Sequence, residues 1–471
     1  MEYTKHRSWR FTAWLLAAIL SMTLLTPYTS FAAMYWPTTE LTADAGIVMD
    51  ADTGAVLFAK NPNVKEYPAS ITKVLTALVV LEHCDLDEKV TFSHDDVYNV
   101  DAGSSNAGID EGDVLSVRDC LHALLLKSAN EAANGLACHV AGSRAAFAEM
   151  MNAKAISLGA KNSHFENPSG LFSENHYTTA YDMALIGAAA MKNKDFLAIE
   201  SDMSYKLGST KRNPDGYTCY MEHKMLRKDT QYSDSRVIAG KTGYTLDAGN
   251  TLITMAQDKG RNLVSVVLKD KNPYHYVDTK ALLDLGFNQT ENQPVNKDLV
   301  DVEKIRDRLV ADTIVNKNCS ASDLTLAKDM VISVPVGADQ SGVSYELNYN
   351  LPEGVSDRAV AELQYLAEDG RTIGRYIIEK EPSVEVMIQE VPTETKVAVA
   401  VSVSAVTIGA VVAFFVFGSG TLIGLKNVHD DRKLKRHMKE RRKQRLQDLD
   451  ISEEEFRELV EQRRARKKAK E

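Results

Sequence analysis

The chain has 471 residues, of which 44% are hydrophobic and 25% are charged, a composition typical of globular proteins. The length is too great for one typical domain and suggests two or three domains with appended segments. The formal net charge of −10 is unevenly distributed, because residues 426–471 carry 17 Lys and Arg against 11 Asp and Glu. The rest of the chain therefore carries −16, which argues against nucleic acid as the main partner.

The N-terminus has the pattern of an export signal. Three basic residues precede an apolar run from Phe11 to Leu25, and small residues then occupy the −3 and −1 positions of a cleavage site after Ala32. These features predict a secretory signal peptide at residues 1–32. An uncleaved anchor helix is the alternative, and under either interpretation the following segment lies outside the cytoplasm.

The first candidate catalytic segment follows a predicted hairpin, in which Asp52-Thr53-Gly54 separates two short apolar runs. Beyond it, we expect a helix that begins at or near Ser70. Side chains three residues apart are neighbours on a helix, so the amine of Lys73 can reach the Ser70 hydroxyl and take its proton. A serine in the first helical turn also offers its backbone N–H to an oxyanion. The Ser-x-x-Lys pattern arises by chance as well, so its meaning depends on the motifs that follow.

A second polar motif, Ser128-x-Asn130, lies between two apolar stretches with helical character. One predicted helix runs from Ser116 to Leu126, and another follows Asn130. The same Ser-x-Asn pattern also occurs at residues 104–106 and 173–175, but only Ser128 sits where a short polar loop is held between apolar helices. Buried polar side chains require partners, and a Ser/Lys site supplies them. The alternative is a helix-helix turn with a capping serine.

A third motif, Lys241-Thr242-Gly243, falls in a strand-turn-strand pattern that continues to Leu268. An ammonium and a hydroxyl at the wall of a cleft are suited to binding an anion, and a glycine lets a ligand approach the backbone. Taken alone, the motif also fits an ordinary solvated lysine beside a turn. Its meaning therefore rests on the two earlier motifs.

In this order the three motifs resemble those of the penicilloyl serine transferases, which include penicillin-binding proteins and serine β-lactamases. Four longer stretches resemble, more narrowly, the low-molecular-mass D-Ala-D-Ala carboxypeptidases: residues 69–76, 167–171, 176–184 and 240–245. The resemblance covers roughly residues 35–390. It implies a mixed α/β, transpeptidase/β-lactamase-like catalytic domain with an antiparallel sheet and helices, followed by a small β-rich domain.

The resemblance also implies a catalytic role for each motif residue. Ser70 would attack the carbonyl of the penultimate D-Ala of a peptidoglycan stem peptide, with Lys73 accepting its proton. The backbone N–H groups of Ser70 and Tyr244 would form the oxyanion hole. Ser128 would relay a proton to the departing D-Ala, and Asn130 would orient Lys73 and the substrate amide.

Substrate binding falls to the third motif in the same family pattern. Lys241 and Thr242 would bind the terminal carboxylate, and Gly243 would let the ligand approach. A lysine acts as a base near neutral pH only if its pKa falls well below the ordinary value of about 10.4. Burial and a nearby cation both lower an amine pKa, and Lys241 is the expected cation beside Lys73.

Three departures from the family pattern concern the substrate contacts. Residues 221–226 replace the usual Asn-x-Asn-x-Leu-Leu stretch, so no carboxylate-binding arginine can be assigned there. Ser169 stands where histidine is common, and Glu131 follows Asn130 in place of aspartate. A β-lactamase remains a rival enzyme; however, Glu166 lacks the partner asparagine four residues on that the class A pattern requires, so we interpret it as an ordinary residue. Inhibition by β-lactams is therefore expected.

The C-terminal third changes character. Short β runs between Val331 and Ile388 predict the β-rich region, for which a spacer or docking role is expected. Residues 397–425 carry no charge for 29 positions and are followed at once by basic residues, which predicts a membrane-spanning anchor with a cytoplasmic tail. The tail is most simply a positive-inside signal, and binding to anionic lipid or to a partner protein is the alternative.

The expected organisation is therefore 1–32 signal peptide, 33–289 catalytic domain, 290–390 β-rich domain, 391–396 linker, 397–425 transmembrane helix and 426–471 basic tail. Five cysteines lie in the exported part; at least one is unpaired within a monomer, and none has metal-ligand spacing. No cofactor or metal is expected. A DD-endopeptidase with the same residues, or a catalytically silent cell-wall-binding protein, remains the alternative to a membrane-anchored carboxypeptidase.

Overall fold

The computed structural model describes residues 34–296, 302–311, 324–325, 330–351, 355–356 and 358–380, all within one compact unit, Met1–Pro382. In this part of the chain, none of the helices is both long and apolar enough to span a membrane. The predicted signal peptide, linker, transmembrane helix and basic tail, together with residues 381–390 of the predicted β-rich domain, lie outside the described residues. Those assignments stay predictions.

A five-stranded antiparallel sheet forms the centre, in the order β2-β1-β9-β8-β7. Its strands are β1 (Ala45–Asp50), β2 (Val56–Lys60), β7 (Val237–Thr245), β8 (Gly249–Asp258) and β9 (Arg261–Asp270). The β1-β2 hairpin and the β7-β8-β9 meander follow the predicted strand-turn-strand patterns. The sequence-distant strands β1 and β9 pair directly, with Ile47 opposite Val266.

Helices cover one face of this sheet. They are α1 (Lys73–Leu81), α2 (His94–Tyr98), α3 (Val117–Leu126), α4 (Asn130–Ala141), α5 (Arg144–Ser157), α6 (Ala180–Ala190) and α7 (Lys194–Glu200). Two small hairpins accompany them: β3 (Lys89–Thr91) with β4 (Val114–Ser116), and β5 (Ser204–Lys206) with β6 (Thr218–Tyr220). Ser116 caps α3 by accepting a hydrogen bond from the Asp119 N–H, so this helix starts where the sequence predicts.

The other face packs against α8 (Tyr274–Gln289) and further strands. These are β10 (Thr290–Pro294), β11 (Leu324–Thr325), β12 (Val331–Pro335), β13 (Ser344–Asn348), β14 (Ala359–Leu366) and β15 (Thr372–Lys380), with α9 (Val302–Ala311) between β10 and β11. Strand β10 pairs with β12, and a second sheet has the order β11-β15-β14-β13. That residues 290–390 form a domain of their own stays a prediction.

The central sheet has a hydrophobic core on each side because side chains alternate along a strand. On β1, Ile47 and Met49 join the core beneath the helices, whereas Val48 joins the core shared with α8 and the second sheet. All three side chains are completely buried. The sheet is thereby packed on both faces, between the helical layer and the C-terminal layer. Its edge strand β7 lies beside the segment that carries Ser70.

Candidate active site

Ser70 lies in a single 3₁₀ turn, Ala69–Thr72, and α1 begins after it at Lys73. The expectation of a helix beginning at or near Ser70 is therefore corrected in detail, because a tighter turn precedes the α-helix. Ala69 has a φ of +50°, a left-handed conformation that is costly for an alanine. Such strain persists only where surrounding contacts impose it.

Lys73 contacts three oxygen atoms. Its Nζ lies 3.0 Å from Ser70 Oγ, 2.8 Å from Asn130 Oδ1 and 2.6 Å from the carbonyl oxygen of Ser169. The side chain is fully buried. Burial first, and then the positive charge of Lys241, hold the pKa of Lys73 well below its ordinary value. The sequence-based expectation named both of these causes.

The geometry distinguishes the three contacts chemically. A neutral amine has two N–H groups and one lone pair, whereas an amide oxygen and a backbone carbonyl can only accept. If Asn130 Oδ1 and the Ser169 carbonyl accept the two N–H groups, the lone pair remains for the Ser70 hydroxyl. The arrangement can therefore hold Lys73 as a base directed at Ser70.

The Ser128 loop connects α3 to α4 and is itself strained. Ser128 has a φ of +61° and is 4% exposed. The Ala129 N–H donates to the carbonyl of Ala123, and the Asn130 N–H donates to that of Ser105, both at 2.9 Å. The alternative Ser-x-Asn pattern at residues 104–106 thus contributes a backbone acceptor that helps to fix Asn130.

Lys241, Thr242, Gly243 and Tyr244 lie in the middle and second half of β7, the first strand of the meander. A Cβ atom on Gly243 would lie 2.8 Å from the backbone nitrogen of Ser70, so only glycine permits this approach of β7 to the 3₁₀ turn. Lys241 is 2% exposed and donates to the Thr242 carbonyl at 3.0 Å. The Tyr244 side chain is largely exposed.

The loop at residues 167–171 supplies the contact to Lys73 that side-chain motifs could not reveal. Asn167 Oδ1 accepts from the N–H of Ser169 at 3.1 Å and from that of Gly170 at 2.8 Å. Gly170 has a φ of +81°, and a Cβ atom there would collide with the carbonyl of Ala69. The loop presents the backbone oxygen of Ser169, so serine in place of histidine leaves this contact unchanged.

Two buried carboxylates surround the motifs. Glu131 Oε1 accepts from the N–H of Ala107 at 2.7 Å, which ties the loop before β4 to α4. Glu200, completely buried, accepts from the N–H of Gly240 at 3.0 Å. Burial raises the pKa of Glu200, whereas the Gly240 N–H and Lys241 lower it. Sequence reasoning missed Glu200, because nothing near it in the chain resembles a motif.

Residues 221–226 are the stretch whose sequence departs from the family pattern. His223 is buried, and its Nε2 lies 2.9 Å from Thr254 Oγ1. Burial, with the charges of Lys241 and His275, lowers the pKa of His223 to about 3, so its ring is neutral. Lys127, next to Ser128, pairs with Glu222 at 3.1 Å. Glu166 accepts a hydrogen bond from Ser173.

Comparison with known proteins identifies the family of the chain. The model of the D-alanyl-D-alanine carboxypeptidase family matches residues 32–272. The chain is 29% identical to D-alanyl-D-alanine carboxypeptidase DacF of Bacillus subtilis, over 74% of this chain and 84% of that protein. It is 36% identical to the carboxypeptidase DacB2 of Mycobacterium tuberculosis, over 52% and 82%.

The crystal structure of penicillin binding protein 6B from Escherichia coli has the same fold. It superposes with a TM-score of 0.54 and 25% identity, covering 74% of this chain and 98% of that one. Penicillin binding protein 5 from Haemophilus influenzae also superposes with a TM-score of 0.54, at 25% identity. The chain therefore belongs to the D-alanyl-D-alanine carboxypeptidase family and is a serine peptidase.

Proposed function

We propose that this protein removes the terminal D-Ala from peptidoglycan stem peptides through an acyl-enzyme on Ser70, and that β-lactams inhibit it. The observation that carries the proposal is the 3.0 Å contact between Lys73 Nζ and Ser70 Oγ, in which the amine is buried and its pKa is lowered. A buried amine of lowered pKa is an activated general base beside a hydroxyl nucleophile.

In acylation, the lone pair of Lys73 takes the Ser70 proton while Oγ bonds to the carbonyl carbon of the penultimate D-Ala. The oxyanion would accept hydrogen bonds from the backbone N–H groups of Ser70 and Tyr244. The peptide C–N bond then breaks, and the leaving amine receives a proton through Ser128. Water attacks the ester in the second half-reaction, with Lys73 again available as base.

Selection of a C-terminal residue requires a cation at the end of the cleft. Lys241 fits this role, because a bound anion stabilises a buried ammonium group. Burial lowers the pKa of Lys241, whereas Glu222 and Glu200 raise it and so favour the charged form. Thr242 adds a hydroxyl donor on the same strand. A β-lactam carries a carboxylate at the matching end, so it would use the same contacts.

The cellular setting of the proposal rests on the sequence alone. The signal peptide at residues 1–32 would export the chain, and residues 397–425 would anchor it in the cell membrane. The catalytic domain would then face the cell wall, with the tail at residues 426–471 in the cytoplasm. The β-rich domain at residues 290–390 would act as the spacer between them.

The test combines two assays of the purified protein. Intact-protein mass spectrometry would follow the covalent benzylpenicillin adduct of the protein over time. A second assay would measure the release of D-Ala from diacetyl-L-Lys-D-Ala-D-Ala. We expect a persistent adduct and D-Ala release, both lost in Ser70→Ala and kept in Ser235→Ala, a control at an exposed position.

Other outcomes identify the alternatives. Rapid hydrolysis of the drug without a lasting adduct would make the protein a β-lactamase. An adduct without D-Ala release would favour a DD-endopeptidase or a transpeptidase. A protein that forms no adduct would be a silent cell-wall-binding protein, and an adduct that survives Ser70→Ala would refute the assignment of the nucleophile.

A further inference from the structure

Three metal-ligating side chains converge at the end of the helical layer remote from Ser70. They are Cys84, Glu88 and His139, and their donor atoms all lie within 4.8 Å of one another. His139 Nε2 is 3.1 Å from Glu88 Oε2. The cluster is separate from the catalytic residues and has no role in the proposed mechanism.

Each of the three side chains comes from a different part of the fold. Cys84 follows the last turn of α1, where its N–H donates to the carbonyl of Val80 at 3.0 Å. Glu88 ends the turn before β3, and His139 lies in the last turn of α4. Glu88 Oε1 accepts from the N–H of Asp85 at 2.7 Å, which leaves Oε2 directed at His139. A carboxylate fixed by such a hydrogen bond is preorganised as a ligand.

The donor set matches the preference of zinc. A thiolate, an imidazole nitrogen and a carboxylate oxygen are its three usual protein ligands. One thiolate and one carboxylate also balance the charge of a divalent ion. In addition, α1 and α4 both end close to the cluster, and the C-terminal end of a helix favours a cation.

We propose that Cys84, Glu88 and His139 bind one zinc ion, with water as the fourth ligand. The Glu88 side chain is 43% exposed, so the ion and a water have access from solvent. On binding, the Cys84 thiol loses its proton to solvent and its sulfur bonds to zinc. His139 Nε2, which donates to Glu88 Oε2 in the free site, gives its proton to solvent as Nδ1 takes or keeps one, and the freed lone pair bonds to zinc. No oxidation or reduction is involved.

The position of the site gives it a structural consequence. Helix α1 begins at Lys73 and α4 begins at Asn130, and these two residues are in contact. The proposed ion connects the opposite ends of the same two helices. It would therefore stabilise the helix pair that carries the catalytic contact, without touching the substrate.

Cobalt is the probe that reports the thiolate directly, because a cobalt-thiolate bond gives a near-ultraviolet charge-transfer band. Metal-free full-length protein would be titrated with Co²⁺ and then with Zn²⁺. We expect a band that saturates at one equivalent and disappears on addition of zinc. We also expect zinc to raise the melting temperature, because a ligand of the native state stabilises it.

A matched control lies next to the proposed ligand His139. Cys138 is a half-buried free cysteine on the same helix, so Cys138→Ser removes a thiol without removing a ligand. We expect this variant to keep the band and the thermal shift, and Cys84→Ser to lose both. Glu88→Gln and His139→Gln should each weaken zinc binding by at least about tenfold. Melting of every variant without metal reports whether it has folded.

The contrary results are specific. A protein without the band, or a band and thermal shift that persist in Cys84→Ser, would overturn the proposal. Loss of the band in Cys138→Ser would show that the ligand set is wrong. Binding unaffected by Glu88→Gln and His139→Gln would leave these two side chains as a simple surface ion pair.

Discussion

Lys73 is the residue whose surroundings best explain the chemistry. Its Nζ touches one hydroxyl and two groups that can only accept hydrogen bonds, at 2.6 to 3.0 Å. A neutral amine satisfies all three, with two N–H donors and one lone pair, whereas an ammonium would have no lone pair for Ser70. The same burial that lowers the pKa of Lys73 thus also selects the protonation state that the contacts require.

Lys73→Arg should remove this base while keeping the positive charge, because a guanidinium stays protonated. We expect benzylpenicillin acylation to slow by about 10²- to 10⁴-fold, the usual contribution of a general base. In the unmodified protein the acylation rate should rise with pH as the lowered pKa of Lys73 is passed, and this rise should vanish in the variant. Stopped-flow measurement of the acylation rate at several pH values gives both the size of the decrease and the pH dependence. Lys65→Arg, at an exposed position, is the control. An unchanged pH profile in Lys73→Arg would contradict the assignment.

Glu200 should act through Lys241. Its negative charge raises the pKa of Lys241, so Glu200→Gln should let Lys241 lose its proton at a lower pH. The KM for a carboxylate-ended peptide should then increase, by up to about tenfold, on the alkaline side of the raised Glu200 pKa. On the acid side Glu200 is itself neutral, so the variant should match the unmodified protein there.

The measurement for Glu200 is KM and kcat across pH for the diacetylated tripeptide. Glu200→Asp keeps the charge and should restore the original KM profile. A merely structural role would lower kcat at every pH and leave the shape of the KM profile unchanged, and that result would contradict the prediction.

At the scale of elements, the active site depends on close backbone contacts between the 3₁₀ turn, strand β7 and the loop at residues 167–171. Thr76 Oγ1 donates to the Pro168 carbonyl at 2.7 Å, and Thr251 Oγ1 donates to that of Pro68 at 2.8 Å. A Cβ atom at Gly170 would collide with the Ala69 carbonyl, and one at Gly243 would lie within 3 Å of Thr251 Oγ1 and the Ser70 nitrogen, so neither position has space for a side chain. Close backbone approaches and the two threonine hydrogen bonds therefore position these elements, and the motif side chains project from them.

Gly170→Ala tests this dependence against a matched glycine. Gly170 and Gly103 have nearly the same φ, +81° and +80°, but a Cβ atom at Gly103 would meet nothing within 4 Å. Gly103→Ala should therefore cost only the backbone strain, about 1–2 kcal/mol of unfolding free energy. Gly170→Ala should cost a further 1–3 kcal/mol or so from overpacking and should slow acylation, because the Ser169 carbonyl is displaced from Lys73. Urea unfolding measures the change in stability, and benzylpenicillin acylation measures the change in rate. If Gly170→Ala and Gly103→Ala lost stability and acylation rate equally, the close contact of the loop with the 3₁₀ turn would not matter, and the prediction would be wrong.

The sequence predicted elements whose signals are local. The Asp52-Thr53-Gly54 turn, the helix predicted from Ser116 to Leu126 and the strands around the turn at residues 258–260 depend on neighbouring residues only. It did not predict the Ser169 carbonyl as a partner of Lys73, because a backbone atom has no sequence signature and lies 96 positions away. Glu88 and His139 were missed as a pair because they are 51 positions apart and their side chains meet only in the folded chain.

At the scale of the molecule, the catalytic layer and the second sheet share a core. Val48 and Leu57 of the central sheet belong to the same buried cluster as Ile332, Leu363 and further residues of the C-terminal strands. Polar contacts cross the same boundary. Thr53 Oγ1 is 2.8 Å from Ser333 Oγ, and Asn292 donates to the buried Asp50 at 3.0 Å. Two layers joined in this way should unfold together.

A pair of neighbouring residues on β15 tests that cooperativity. Ile378 is completely buried in the shared core, whereas the adjacent Ile377 is 36% exposed. Ile378→Ala should lower the free energy of unfolding by about 2–5 kcal/mol, and Ile377→Ala by much less, as is usual for surface positions. Because the core is shared, Ile378→Ala should lower the midpoint urea concentration of two transitions by the same amount. These are the unfolding transition seen by circular dichroism and the loss of benzylpenicillin acylation. If acylation were lost at an unchanged urea concentration while the circular dichroism transition split in two, the C-terminal strands would be an independent folding unit.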